Sequence, residues 1–240
     1  MSRKIAIIGA TSGIGRALAV ELHNRGHTIG ATGRRVERLE SLKQELGTRI
    51  STAYMDVTDY DDAIDQLELL KQRMHGIDSI VINAGVSNFQ KRVSHEGDMH
   101  VIDVNVRGFA NLAAYSFSMF HRQEHGHIIG ISSVASFFGW GLSAPYSASK
   151  AFMNTYLQGY RQKANHTDAD ISVTTIIPGF VESEMTEGKR GMFWVSDTDK
   201  AANQIADAIK KKKHRAYVTK RWRYVVWLLK LVPHWVWNRM

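Results

Sequence analysis

The stretch from Lys4 to Arg25 constrains this chain more than any other. Lys4–Ile8 reads as a short buried strand, Gly9-Ala-Thr-Ser-Gly13-Ile-Gly15 as a loop, and the Ala/Leu-rich run to about Arg25 as a helix. Glycines at 9, 13 and 15 give G-x-x-x-G-x-G rather than the more common G-x-G-x-x-G. The physics is the same for both. Without side chains the backbone can approach a pyrophosphate closely, at a helix N-terminus whose free amides and dipole favour an anion. A merely tight strand-to-helix turn is the plainer reading of the loop by itself. Either way, a strand feeding a helix commits the chain to strand–helix–strand units and a parallel sheet.

The remainder repeats that alternation. Thr28–Thr32, Ser51–Met55, Ser79–Ile82, Ile128–Ile131, Ile171–Ile177 and Ala216–Val218 read as further strands. Helices are expected from about Asp59 to Met74, Met99 to Arg122 and Asp199 to Lys212. The expected fold is a Rossmann-like, doubly wound parallel sheet of about seven strands with helices on both faces. Residues 1–219 would form one domain, and residues 220–240 an amphipathic tail rather than a second domain. A chain of 240 residues suits a single α/β domain. There is no cysteine, which excludes disulfides and thiolate metal sites and gives no sign of an oxidising compartment. The sequence enters its first strand at once, so no leader is expected and a cytoplasmic setting is.

The chemistry concentrates where strands end. After the strand ending at Thr32 comes Gly33-Arg34-Arg35, with no acid to take two ribose hydroxyls. Arginines there suit a 2′-phosphate by charge-assisted bonds, although two solvated arginines opening a helix remain an alternative. Asp56-Val57 and the small residues Asn83-Ala84-Gly85 close two further strands. Ser132 and Ser133 follow Ile131. Ser143 and Pro145 then look like a helix start, with Ser143 as the cap, which sets Tyr146 and Lys150 at i and i+4 on one face. A free phenol titrates near about 10, and a neighbouring ammonium lowers that value. Such a Tyr can exchange a proton with an alcohol or carbonyl oxygen, while Ser133 holds the same oxygen. Tyr-x-x-x-Lys alone is common on exposed helices, so its weight comes from what lies upstream.

Taken together and in order, Gly9–Gly15, Asp56, Asn83-Ala84-Gly85, Asn105, Ser133, Tyr146-x-x-x-Lys150 and Pro178-Gly179 resemble the short-chain dehydrogenase/reductase family over about residues 3–215. The resemblance implies an oxidoreductase that interconverts a secondary alcohol and a ketone with NADP(H), NAD(H) being the less favoured cofactor. It implies a catalytic tetrad of Asn105, Ser133, Tyr146 and Lys150. Tyr146 would be the acid/base and Ser133 would hold the substrate oxygen. Lys150 would bind the nicotinamide ribose and lower the phenol, and Asn105 would anchor a water leading to solvent. Cofactor contacts are implied for Gly9, Thr11, Ser12, Gly13, Ile14 and Gly15, for Arg34, Arg35, Asp56 and Val57, and for Asn83, Ala84 and Gly85. Tyr146, Lys150, Pro178, Gly179, Val181 and Ser183 complete the set, with Asp56 meeting the adenine and Val181 and Ser183 the carboxamide. Ile82 and Ser183 stand where family members commonly carry Asn and Thr. A Gly-Gly segment that the family carries near its C-terminus is absent, so a homodimer is expected rather than a tetramer.

The tail departs from that pattern. Residues 208–240 hold ten Lys/Arg and no acid, and four of the six Trp. On a helix, Arg223, Lys230 and His234 would form a narrow polar stripe with the rest apolar. The composition suits an interfacial helix on an anionic membrane surface, and equally a helix packed on its own domain or on a dimer mate. No run is long enough to span a bilayer. Nucleic-acid binding through Lys210–Arg223 would explain the charge but not the Trp/Leu continuation, and no nucleic acid is expected as partner. A non-catalytic NADP(H)-binding regulator is the rival to an enzyme, and the intact Ser133/Tyr146/Lys150 set argues against it. The loop Glu184–Val195 is expected to cover an apolar or bulky carbonyl or alcohol substrate, through Met185, Met192, Phe193 and Trp194. His121, His125 and His127 read as solvated residues of a helix-to-strand loop, and no metal is expected.

Overall fold

A computed structural model describes residues 2–89, 93–184, 186, 192–229, 231–237 and 239. The strands are β1 (Lys4–Ile8), β2 (Thr28–Gly33), β3 (Ile50–Tyr54), β4 (Ser79–Ile82), β5 (His125–Ile131), β6 (Asp170–Pro178) and β7 (Arg215–Val218). They hydrogen-bond in the order β3-β2-β1-β4-β5-β6-β7, every pair parallel. The helices are α1 (Gly13–Asn24), α2 (Val36–Leu46), α3 (Tyr60–Arg73), α4 (His95–Ile102), α5 (Phe109–Gln123), α6 (Ala144–Ala164), α7 (Thr198–Lys210), α8 (Trp222–Leu229) and α9 (His234–Trp237). This is the Rossmann-like α/β fold expected from the alternation.

The apolar strand residues divide by side-chain alternation. Ala6, Ile8, Ile80, Ile82 and Ile128 point into one core, shared with Leu67 and Leu70 of α3, Phe109 and Phe120 of α5 and Leu157 of α6. Ile5, Ile7, Ile29, Val81 and Ile129 point into the other, against Leu18 and Leu22 of α1, Leu39 and Leu42 of α2 and Ile205 and Ile209 of α7. A sheet covered on both faces needs near-continuous apolar strands, and the sequence has them. Strand order reverses between β1 and β4, which opens a crevice beyond their carboxyl ends. The register brings those ends level, with Ile8 opposite Thr32 on one side and Ile82 on the other.

Several helix starts follow capping chemistry. Asp59, Ser94 and Asp197 each accept a hydrogen bond from the backbone amide three residues on. Three sequence expectations are corrected. Met99–Arg122 is not one α-helix, since a π-helical turn at Asp103–Gly108 separates α4 from α5. Ser143 precedes α6 as expected, but its hydroxyl caps nothing and lies buried. Finally, the three histidines are not all loop residues. His121 lies in α5 and His125 opens β5, while His127 is a buried β5 residue whose Nε2 lies 2.7 Å from Thr174 Oγ1 of β6. Strand β5 starts earlier than the Ile128–Ile131 run suggested, because a hydroxyl partner makes burial of an imidazole acceptable.

The tail forms two short helices, not one, with Pro233 between them. Arg223 and His234 therefore lie in different helices, and the third member of the expected stripe, Lys230, lies outside the described residues. Trp222 and Val226 are buried on Val134 and Ile177, with Phe137, Phe180 and Tyr217 packed alongside.

Candidate active site

The crevice beyond β1 and β4 is a cleft of about 740 Å³. Its floor is built by close backbone approach. Gly9 has φ +88°, and a Cβ there would lie 2.8 Å from Ala84 N and Cα. A Cβ on Gly15 would collide with the Gly9 carbonyl oxygen and the Asn83 side chain. Asn83 Nδ2 donates to that carbonyl at 2.6 Å, so the loop after β1 is tied to the end of β4. Ser12 stands at the N-cap of α1 without capping it through its side chain, which leaves the first-turn amides facing the cleft.

Instead, Ser12 Oγ and Thr11 Oγ1 accept from the Arg35 guanidinium at 2.6 and 3.1 Å. Arg35 also bonds Glu184 at 2.7 Å, and Arg38 reaches the same carboxylate. Those two hydrogen bonds hold the Glu184 carboxyl below its ordinary range. Arg34 lies 3.7 Å from Asp56. Burial would raise the Asp56 carboxyl, but the Thr58 amide and hydroxyl and the Arg34 charge outweigh it and hold it low. The arginines thus form a cationic end to the cleft, balanced by two carboxylates.

At the other end sit the tetrad residues. Ser133 follows β5, and its Oγ accepts from Ala135 N at 3.2 Å. Lys150 is 4% exposed, its Nζ donating to Ile131 O at 2.9 Å and standing 5.6 Å from the Tyr146 ring centroid. Asn105 is fully buried in the π-helical turn. Its Oδ1 accepts from Val86 N, and its Nδ2 donates to Val86 O and Ser149 Oγ. Gly85 lies between them, and a Cβ there would come 3.3 Å from Asn105 Oδ1 and 3.4 Å from Lys150 Nζ.

The ionisation differs from the sequence expectation. Burial lowers the Lys150 ammonium to about 8. Burial also pushes the Tyr146 phenol above its ordinary value, and a hydrogen bond from Ser133 only partly offsets this. A lowered phenol is therefore not found. The lysine is committed to a backbone carbonyl, and desolvation disfavours charge on both groups.

Of the catalytic and cofactor-contact residues expected from sequence, all but Gly15 and Asn105 line the cleft, and Met192, Phe193 and Trp194 of the expected substrate loop do not. Gly15 and Asn105 stand directly behind it, Gly15 under Gly9 and Asn105 behind Gly85. Sequence reading missed Ser87, Phe89, Glu184 and Thr186, which also line it. Thr186 Oγ1 accepts from Ser183 N at 2.9 Å and donates to Val181 O at 2.9 Å, fixing the turn after β6. Phe89 packs edge-on against Trp140 and obliquely against Tyr146. None of these carries a motif, since they reach the cleft through loop geometry. Of the expected substrate loop, Met185 and residues 187–191 lie outside the described residues. Phe193 and Trp194 cluster with Trp222 and Phe180.

The close-approach glycines, the open α1 amides and the cationic end fit a dinucleotide phosphate chain. Comparison with known proteins agrees. A family model described as short chain dehydrogenase matches residues 3–194. An uncharacterized oxidoreductase of Myxococcus xanthus is 38% identical over 192 residues, which is 78% of this chain and 75% of that protein. Among solved structures, ElxO with NADP bound superposes with TM-score 0.78 at 20% identity, covering 90% of this chain and 96% of that one. A 3-ketoacyl-(acyl-carrier-protein) reductase from Brucella melitensis complexed with NADH superposes with TM-score 0.82 at 19% identity, covering 90% and 95%.

Proposed function

This chain belongs to the short chain dehydrogenases, and from that premise we propose that it interconverts a secondary alcohol and a ketone with NADP(H). The observation that carries the reading is the convergence of Ser133, Tyr146 and Lys150 at one end of a cleft whose other end is the Gly9–Gly15 loop and the Arg34/Arg35 pair. Residues 1–219 are proposed as the catalytic domain of a cytoplasmic homodimer, and residues 220–240 as a tail that meets an anionic membrane surface.

The roles follow from position. The amides of Gly13–Gly15 and the hydroxyls of Thr11 and Ser12 would hold the pyrophosphate, and Asp56 and Val57 the adenosine. Arg34 and Arg35 would take the 2′-phosphate, with Arg35 exchanging its bond to Glu184 for one to the ligand. Asn83, Ala84 and Gly85 would flank the cofactor, and Pro178, Gly179, Val181 and Ser183 would hold the nicotinamide end. The cofactor, when bound, supplies or accepts the hydride. In the direction of reduction, Tyr146 Oη gives its proton to the substrate oxygen as that oxygen gains negative charge. Ser133 Oγ donates to the same oxygen and fixes it. Lys150, with its low ammonium value, is poised to return a proton toward Tyr146. Asn105 holds the 86 backbone and, through Gly85, the spacing behind Lys150.

A Tyr phenol is neutral at neutral pH, so Tyr146 can serve as the proton donor in this direction. Phe89 lines the cleft with Trp140 packed against it, and the two would suit an apolar or bulky substrate. The test is NADPH consumption with a panel of apolar ketones for the wild type and Tyr146→Phe. Wild type should turn over members of the panel. The variant should bind NADPH normally and lose about 10²-fold or more in kcat. A near-wild-type rate in the variant would overturn the assignment.

A further inference from the structure

Helix α8 is apolar on two opposite faces. Trp222 and Val226, one turn apart, are buried against Ile177 and Val134. On the other side Tyr224, Trp227 and Leu228 are 58%, 62% and 57% exposed, and Leu231, in the turn that follows, is 64% exposed. The positions 224, 227, 228 and 231 are spaced i, i+3, i+4 and i+7, which makes one continuous stripe. Trp235 of α9 is 63% exposed and adds to it. A protein surface seldom presents large apolar side chains in such a row unless something covers them.

The charges beside the stripe indicate what covers it. Lys220, Arg221, Arg223 and Arg239 are exposed, and residues 208–240 contain no acid. Arg221 stacks on Trp194 and Arg239 on Trp235. Cations flanking Trp, Tyr and Leu match the chemistry of an anionic lipid interface, where aromatic rings settle at headgroup depth and bases meet lipid phosphates. A second copy docking through the same face would bring like charges together.

The stripe also lies close to the cleft. Its buried side packs on the cleft wall so tightly that a Cβ on Gly179 would collide with the Trp222 indole. Phe138, between Ser133 and Tyr146 in sequence, stacks on Trp237 with centroids 5.2 Å apart. Only the thickness of one helix, about 10 Å, separates the outer stripe from the wall beside the substrate.

We propose that the outer face of α8, with Leu231 and Trp235, docks the protein on an anionic lipid bilayer and sets the substrate end of the cleft beside the membrane, so that the enzyme draws an apolar carbonyl or alcohol compound from the lipid phase. The docking stands on the surface alone. The substrate class rests on the oxidoreductase reading above.

The test uses the full chain with vesicles of phosphatidylglycerol and phosphatidylcholine, and with phosphatidylcholine alone. Wild type should pellet with the anionic vesicles at low salt, shift its Trp emission to the blue, and be partly released by high salt. The Trp227→Ser/Leu231→Ser variant, altered only at exposed positions, should bind the anionic vesicles about tenfold more weakly or worse. It should keep wild-type kinetics on a water-soluble ketone and lose turnover of a vesicle-borne one. Wild-type protein left in the supernatant, or equal pelleting of the variant, would overturn the docking. A drop in the variant's oligomeric state would also overturn it, by giving the face to a second copy. Equal turnover of soluble and vesicle-borne ketones by the variant would overturn the delivery. Pelleting without turnover of any ketone would support the surface and sink the oxidoreductase reading instead.

Discussion

Arg35 decides more of the cleft than its place in the sequence suggests. It is the residue just before α2, yet its guanidinium joins Thr11 and Ser12 of the Gly loop to Glu184 beyond β6. Charge-assisted bonds of this kind contribute about 1.5–3 kcal/mol each. Arg35→Ala should therefore weaken NADPH binding by roughly 10–100-fold while changing NADH binding little, read by fluorescence titration with each cofactor. Arg34→Ala should have the smaller effect, since Arg34 is more exposed and only 3.7 Å from Asp56 rather than hydrogen-bonded to it. Equal losses for both cofactors would assign Arg35 to holding the loop and not to the 2′-phosphate. The presence of two arginines could be read from the sequence. That Glu184 holds one of them from across the cleft could not, because 149 residues separate the pair.

At the scale of the element, the pairing of β5 with β6 buries a titratable group. His127 is 1% exposed, and burial, with Arg3 and Lys212 acting the same way, lowers its value from 6.5 to about 3. The folded protein keeps this imidazole neutral, whereas in the unfolded chain it takes a proton below about 6.5. The unfolded state then binds more protons, so the stability tied to His127 is complete above that pH and is lost as pH falls toward 3. The loss at pH 5.5 should be about 1.4 kcal/mol. Urea melts at pH 7.5 and 5.5 should show it for wild type. His127→Gln, although less stable overall, should lack this part of the slope. A variant with the full wild-type slope would place the acid sensitivity elsewhere.

For the whole molecule the tail is part of the structure. Trp222 and Val226 fill the space between Ile177, Val134 and Phe180. Burying each large apolar side chain contributes about 1.5–3 kcal/mol. Removing residues 221–240 should lower the Tm by roughly 5–15 °C. It should also raise KM for an apolar ketone, since the wall beside Gly179 loses its backing. A truncated protein with unchanged Tm would mean that the tail is held only loosely on the body. Among the described residues no helix is long and apolar enough to cross a membrane.

The sequence by itself determined the alternation of strands and helices, and with it the parallel sheet. Apolar runs bounded by Gly and Pro are local signals, and a strand, glycine loop and helix can be read within about 25 residues. It also determined which residues would gather at the cleft, because in this topology function sits where strands end. Tertiary structure decided the rest. His127 became a strand residue because β6 offered a hydroxyl across the ladder. The phenol of Tyr146 rose because burial outweighed the Ser133 hydrogen bond. The tail's two faces separated because Gly179 leaves room for an indole and Pro233 stops the helix. Each of these turns on what a residue meets from a distant part of the chain. Desolvation and contact act through space, and no local pattern records them.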